Sequence, residues 1–126
     1  MQISAIQLTN NKIGELLESA RIMLHQGKFE EFADKFGYAV ALERKHVVAI
    51  SADFNAALES VGASGLNSEN IGTFKISLVE PTSIGINGII EHIVEADNGR
   101  ELLIEYVFSD SDGKSHITCE QISVLP

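Results

Sequence analysis

The sequence predicts an α+β fold, with three N-terminal helices packed on a C-terminal four-stranded antiparallel meander. Apolar residues recur at helical spacing up to about residue 60, and they alternate at strand spacing from about residue 73. Between these two halves, residues 62–72 are rich in glycine, serine and asparagine, which is typical of a loop. We therefore expect a single domain over residues 1–126, in which 1–61 are mainly helical, 62–72 form the loop and 73–126 form the sheet.

Two helices are predicted before residue 40. The first has N-cap candidates in Thr9, Asn10 and Asn11, and Gly27 is expected to end it. Its apolar face comprises Ile13, Leu16, Leu17, Ala20, Met23 and Leu24. The second helix is short and ends at Gly37. Its apolar face comprises Phe29, Phe32, Ala33 and Phe36.

A third helix is predicted from about Glu43 to Ser60. The residues expected to point inward are Val47, Ile50, Phe54, Ala57 and Leu58. The preceding segment, Tyr38–Leu42, is compatible with a connector, with a short strand or with an early start of this helix.

Four strands follow the loop. The first has the alternating apolar residues Phe74, Ile76 and Leu78 and ends at Pro81, because proline has no N–H for a sheet ladder. The next three are expected at Ile86–Ala96, Glu101–Ser109 and Ser115–Val124. Turn residues separate these last three strands, as Asp97-Asn98-Gly99 and Ser111-Asp112-Gly113. The strands should therefore form consecutive hairpins.

The turn at residues 97–99 sets the register of the second and third predicted strands. A three-residue loop with Gly99 in the left-handed region pairs Ala96 with Arg100. One face of the hairpin then carries a predicted core of Ile90, His92, Val94, Leu102, Ile104, Tyr106 and Phe108. The other face carries Ile89, Glu91, Ile93, Glu95, Glu101, Leu103, Glu105 and Val107.

A second register is also possible. A two-residue Asn98-Gly99 turn would pair His92 with Glu105 and would separate the glutamates of the two strands. It would also mix glutamates into the face of Tyr106 and Phe108. We prefer the first register because it keeps the core face apolar.

In the preferred register, Glu91 lies opposite Glu105 and Glu95 lies opposite Glu101. Like charges directly opposite each other destabilise a sheet by a few tenths to ~1 kcal/mol. An acidic surface interleaved with isoleucine and leucine suits contact with a basic, partly apolar protein. The predicted partner-binding residues are Glu91, Glu95, Glu101, Glu105, Ile89, Ile93, Leu103 and Val107.

The overall charge agrees with a basic partner. The chain has 18 acidic and 9 basic side chains, for a formal net charge of −9. Residues 1–68 hold 8 acidic and 6 basic side chains, whereas residues 69–126 hold 10 and 3, so the excess lies in the strand half. A solvated sheet face that keeps the protein soluble is the simpler explanation of this excess. Nucleic acid is not an expected partner, since a surface of this charge repels phosphate.

Motifs for cofactors and catalysis are not evident. Asp110-Ser111-Asp112-Gly113 fails as a calcium loop, because alignment to its glycine puts Phe108 and Cys119 at ligand positions. His116 and Cys119 are three residues apart, which places them on opposite faces of a strand unless a bulge intervenes. The glycines form no phosphate-binding pattern, and no nucleophile elbow is found. We therefore expect no metal, no cofactor and no catalytic residue.

One enzymatic alternative remains open. Helices packed on a curved antiparallel sheet can enclose a pocket, as in cone-shaped folds of the nuclear-transport-factor-two type. In such a cone His92, Tyr106 and Glu105 could serve as acid–base groups for a small ligand. This alternative rests on fold analogy alone.

The sequence also bears on the compartment. Cys119 is the single cysteine, so no internal disulfide can form. The first eight residues contain no basic side chain and no unbroken apolar run, unlike a signal peptide. No stretch approaches the ~18 apolar residues of a membrane span. We expect a cytoplasmic protein that does not contact the membrane, and we have no preference between monomer and homodimer.

In its size, acidity, helix-then-sheet organisation and lack of motifs, the chain resembles the bacterial immunity proteins of toxin–immunity systems, including those of contact-dependent growth inhibition. This resemblance assigns no individual residue. It implies that a preformed acidic surface binds one cognate toxin domain, often a basic nuclease, and blocks its active site. An acidic regulator of another protein is a further possibility of the same kind.

Overall fold

The computed structural model describes residues 2–3, 10–67, 69, 72–78, 86–111 and 114–125. Its helices are α1 (Asn10–His25), α2 (Phe29–Phe36) and α3 (His46–Ser60), with a 3-10 helix at Ala39–Ala41. Its strands are β1 (Gln2–Ile3), β2 (Thr73–Leu78), β3 (Ile86–Glu95), β4 (Glu101–Ser111) and β5 (Lys114–Val124). Three helices followed by a four-stranded antiparallel meander confirm the predicted fold class.

The sheet has the order β1-β5-β4-β3-β2, with every neighbouring pair antiparallel. The two-residue strand β1 pairs with the start of β5, at Gln2–His116 and Ile3–Ser115. The sequence does not predict this strand, because two residues are too few to show an alternating pattern. The turn predicted at Ser111-Asp112-Gly113 lies partly outside the described residues. The position at which the first strand is predicted to end, Pro81, lies outside them.

The helices and one face of the sheet share a single apolar core. All seven residues predicted for the inner face of the β3–β4 hairpin are buried, as are Ile117, Cys119 and Ile122 of β5. Phe36 of α2 packs edge-on against Tyr106 of β4, with 5.5 Å between the ring centroids. We call this side of the sheet the inner face, and the opposite side the outer face.

The first two helices end where glycine was expected. Gly27 has φ 71°, and the N–H of Lys28 donates to the Met23 carbonyl over 2.8 Å, which closes the last turn of α1. Gly37, at φ 65°, follows α2. The apolar faces predicted for both helices lie in or against the core. Thr9, one of the cap candidates, is outside the described residues.

Two predictions for the third helix were wrong. It begins at His46 rather than at about Glu43, because residues 39–41 form a 3-10 turn that is followed by Leu42 at φ 58°. Val47 is 38% exposed, since most of the first turn of α3 lies at the surface. Ala49 is buried instead.

A polar cluster joins the 3-10 segment to α3 and to the edge of β5. The hydroxyl of Tyr38 donates to Asp53 Oδ2 over 2.7 Å and accepts the N–H of Ile122 over 3.3 Å. Arg44 completes the cluster with an ion pair of 3.1 Å to Asp53. Hydrogen bonding from Arg44 and from Tyr38 lowers the pKa of the Asp53 carboxyl, against the opposing effect of partial burial. Burial and Asp53 together raise the pKa of Tyr38.

We predict that this cluster gives the protein an acid-sensitive contribution to stability. Because the pKa of Asp53 is lower in the folded state, the contribution is present above the unfolded-state value of about 3.9 and is lost as the pH falls below it. In the variant Asp53→Asn, an oxygen remains to accept from Tyr38 but the charge is absent. The variant should be less stable than the wild type at pH 7, and the difference should shrink towards pH 3. Chemical denaturation across this pH range measures it, and a constant difference would contradict the prediction.

Candidate functional site

The candidate site is the outer face of the β3–β4 hairpin, whose register depends on the loop at residues 97–99. Ala96 N–H donates to the Arg100 carbonyl over 2.7 Å, and Gly99 has φ 86°. The amide of Asn98 donates to the Val61 carbonyl over 2.8 Å and fastens the loop to the end of α3. The three-residue loop is therefore confirmed, and His92 lies opposite Ile104 rather than Glu105.

Side chains on this face form alternating apolar and acidic rows across the strands. Ile89 lies opposite Val107, and Ile93 lies opposite Leu103. One acidic row, with Glu91 opposite Glu105, lies between these two apolar rows. The second, with Glu95 opposite Glu101, lies on the other side of the Ile93–Leu103 row. We call these eight residues the acidic face. All eight predicted partner-binding residues are thus brought together, in the order that the preferred register required.

The neighbouring strands extend the rows. Lys75 of β2 lies beside Glu91 in the register, and Thr73 lies beside Ile93. On the other side, Gln121 of β5 lies beside Glu105 and Ser123 lies beside Leu103. The Glu91–Glu105 row is therefore continued by Lys75 on one side and by Gln121 on the other, and the Ile93–Leu103 row is continued by Thr73 and Ser123.

The side chains of the acidic face are only partly withdrawn from water. Glu101 and Ile89 are exposed, and the other six residues are half-buried. The inner face, by contrast, is buried beneath the helices. The acidic face thus leaves part of both its acidic and its apolar side chains exposed to solvent.

Three glutamates of this face, Glu91, Glu101 and Glu105, form no ion pair within the part of the chain that the structure describes. The ion pairs found there are Lys12–Glu15, Arg21–Glu18 and Arg44–Asp53, all among the first 60 residues. Lys75 makes no ion pair with its neighbour Glu91. Within the described residues, no salt bridge therefore offsets the like-charge opposition of Glu91 and Glu105.

Two amide side chains hold acidic residues in place. Gln121 Nε2 donates to Glu105 Oε1 over 3.2 Å, and Asn67 Nδ2 donates to Glu95 Oε1 over 3.1 Å. Asn67 is itself held by the buried Arg21, whose Nη1 donates to the Asn67 carbonyl over 2.8 Å. An amide donor orients a carboxylate but carries no charge that would neutralise it.

Sequence reasoning missed both amides. Gln121 reaches Glu105 because β5 contains a bulge, in which Glu105 pairs with Gln121 while Tyr106 pairs with Cys119. The sequence carries a signal that could have found it, because the apolar alternation of Ile117 and Cys119 changes phase across Glu120-Gln121 before Ile122 and Val124. Asn67 lies in the predicted loop, directly after Leu66, which forms an isolated bridge with Ala96.

We predict that relieving the opposition at Glu91 stabilises the free protein. The Glu91→Gln variant removes one charge of the Glu91–Glu105 pair and breaks no ion pair among the described residues. Its free energy of unfolding should rise by a few tenths to ~1 kcal/mol. Urea denaturation at low salt measures the change. A loss of more than ~1 kcal/mol would mean that Glu91 is needed inside the fold.

The residues of the small-ligand alternative are not brought together. His92 and Tyr106 are buried on the inner face, whereas Glu105 lies on the outer face. Burial raises the pKa of the Tyr106 hydroxyl well above its usual value. His116 and Cys119 likewise lie on opposite faces, as expected from their spacing.

The remaining searches concern metals and membranes. Among the described residues, no group of three or more His, Cys, Asp and Glu side chains is arranged to hold a metal ion. No helix in the described ranges has the length and apolar character needed to cross a membrane.

Comparison of the chain with protein-family models, with curated proteins and with solved structures found no match.

Proposed function

We propose that this chain is a non-catalytic protein-binding module that binds a basic protein through its acidic face. In its most concrete form it is an immunity protein, which neutralises a basic toxin domain such as a nuclease in the cytoplasm. The observation that carries the proposal is the pair of acidic rows, Glu91–Glu105 and Glu95–Glu101, which alternate with apolar rows on an open sheet face.

The energetics of the face support a binding role. Opposed glutamates cost stability in the free protein, and solubility alone does not require them to face each other. A partner lysine or arginine placed between the rows would turn this repulsion into attraction. Ile93 and Leu103 lie between the two acidic rows, so the same contact would also bury apolar surface. The face is therefore better matched to a basic, partly apolar surface than to water.

The charge of the chain supports the same class of partner. With a net charge of −9, the molecule attracts a basic protein over long range and speeds the encounter. A sheet face of four rows also offers a rigid platform, because both strands are fixed by the hairpin and by the buried core. Such a platform can cover the substrate-binding surface of a basic nuclease, where positive charge gathers phosphate.

A capture experiment with matched variants tests the proposal. Wild-type protein, the Glu91→Gln/Glu105→Gln variant and the Glu43→Gln/Glu59→Gln variant are immobilised and exposed to extract from the source cell. The last variant loses the same two charges at exposed sites of the helical half. We expect a basic protein that binds the wild type and this control but is depleted on the acidic-face variant. Equal capture by all three would contradict a role for the face.

Inhibition then tests the more specific form of the proposal. If the captured protein is a toxin, equimolar wild-type chain should abolish its activity, and the acidic-face variant should require a higher concentration. A toxin gene beside the gene for this chain would identify the protein to test. A captured protein whose activity is unchanged by saturating wild-type chain would leave a binding module but would refute the immunity role.

A further inference from the structure

We propose that β2 pairs antiparallel with β2 of a second copy, so that two chains form a continuous ten-stranded sheet. The inference concerns the edge of the sheet rather than the acidic face, and it does not depend on the proposed function. Its basis is a difference between the two edges of the sheet.

Described residues cover the edge of the sheet at β5, whereas none of the described strands covers the edge at β2. At the first edge, β1 pairs with His116 and Ser115, and farther along the hydroxyl of Tyr38 accepts the N–H of Ile122. The 3-10 helix and α3 also pack against β5. At the other edge, β2 is the last strand of the sheet, and no described strand pairs with its outward side. Its outward N–H and C=O groups can therefore serve as a template for another strand.

Charge favours a second copy at this edge. The strands β3, β4 and β5 each contain at least one acidic residue, whereas the single charged residue of β2 is Lys75. Two molecules that each carry a charge of −9 repel each other, so they approach with least repulsion where acidic side chains are absent. Within the meander, β2 is the strand that meets this condition.

The strand is also compatible with pairing to itself. In a continuous antiparallel sheet, directly opposed residues must lie on the same face. A two-fold axis through Ile76 satisfies this requirement and places position 75 opposite position 77 of the second copy. The two copies of Lys75 then avoid direct opposition, which would cost stability. The paired segment on each chain is residues 74–78 in this register.

Exposed apolar surface lies at the same edge. Phe74 is 37% exposed, although its ring packs beside Gly14 of α1. An added strand would cover part of this ring and remove it from water. The contact is small, so we expect weak and concentration-dependent association rather than a permanent dimer.

Pairing in this way has a geometric consequence. The two-fold axis lies perpendicular to the sheet, so the outer faces of both copies lie on the same side. Each dimer then presents two acidic faces on one side of the extended sheet. A partner with two basic sites, or two partner molecules, could bind the same dimer.

Sedimentation velocity tests the inference on the full chain. The mass should rise from 13.7 kDa towards twice that value as the concentration increases. The rise should be larger at about 500 mM NaCl than at about 50 mM, because salt screens the repulsion between two acidic molecules. A chain that stays monomeric at millimolar concentration and high salt would overturn the inference. Lys75 would then be a residue that prevents another strand from pairing with this edge.

Matched variants locate the contact. Lys75→Glu adds negative charge at the β2 edge and should reduce dimer formation at least several-fold. Lys45→Glu makes the same charge change beside α3, away from this edge. It should affect dimer formation only through the net charge of the molecule. Amide exchange of residues 73–78 should slow as the dimer forms. Dimers that respond equally to both variants, with no slowing in β2, would overturn the inference.

The outcome is separable from that of the proposed function. Binding of a basic partner should weaken with salt, whereas pairing of two copies should strengthen with salt. Failure of one therefore leaves the other standing.

Discussion

Replacing Gly72 with alanine is expected to lower the free energy of unfolding by about 2–4 kcal/mol. Gly72 has φ 78°, in the left-handed region, immediately before β2 begins. A Cβ at this position would collide with the carbonyl oxygen of Ile93 and would lie 3.2 Å from the Cα of Val94. Both contacts are with backbone, so no side-chain rotation can relieve them.

Gly65 is a suitable control for this variant. It lies in the same loop, and a Cβ added there would meet nothing within 4 Å. Gly65→Ala should change the stability by no more than about 0.5 kcal/mol. Thermal or urea denaturation compares the two variants directly. Equal stability of the two would mean that β2 does not approach β3 as closely as described.

The second large effect is expected on partner binding. Replacing Glu91, Glu95, Glu101 and Glu105 together with glutamine should weaken the complex by roughly 10- to 100-fold at low salt, at ~1.4 kcal/mol per tenfold. Most of the loss should come from slower association if the charges lie at the rim of the interface, because they steer the encounter. Surface plasmon resonance with the captured basic protein resolves the two rates.

This variant should not lose stability on its own. A glutamine at position 95 or 105 retains a side-chain oxygen that can accept from Asn67 or Gln121, so the contacts to both amides can persist after substitution. A folded variant with unchanged affinity would remove the acidic face from the interface. A variant with lower stability would instead assign the glutamates a structural role.

Much of the fold follows from local patterns in the sequence. The change from helical to strand spacing separates the two halves, and Gly99 sets the register of the β3–β4 hairpin. Because that register determines which residues face outward, the composition of the acidic face follows from the sequence pattern alone. The two opposed pairs, Glu91–Glu105 and Glu95–Glu101, depend on this one turn.

Other features depend on contacts that are distant in the sequence. Periodicity places the start of α3 too early because the Tyr38–Asp53–Arg44 cluster and Leu42 at φ 58° shape the preceding segment. The strand β1 is too short to leave a pattern. The bulge that brings Gln121 beside Glu105 shows in the sequence as a change of phase between Cys119 and Ile122, but the contact between the two side chains depends on pairing between β4 and β5. Apolar periodicity therefore predicts which residues share one face of a helix or sheet. It does not predict the polar contacts at the edges of that face.

The most direct test of the central claim is the salt dependence of binding to the captured basic protein. The dissociation constant is measured from about 50 to about 300 mM NaCl for the wild type, for the variant without the four glutamates and for Glu43→Gln/Glu59→Gln. We predict a steep loss of affinity with salt for the wild type and for the helical-half variant, and a nearly flat response once the four glutamates are gone. Parallel salt dependences for all three proteins would show that the acidic face does not bind the partner.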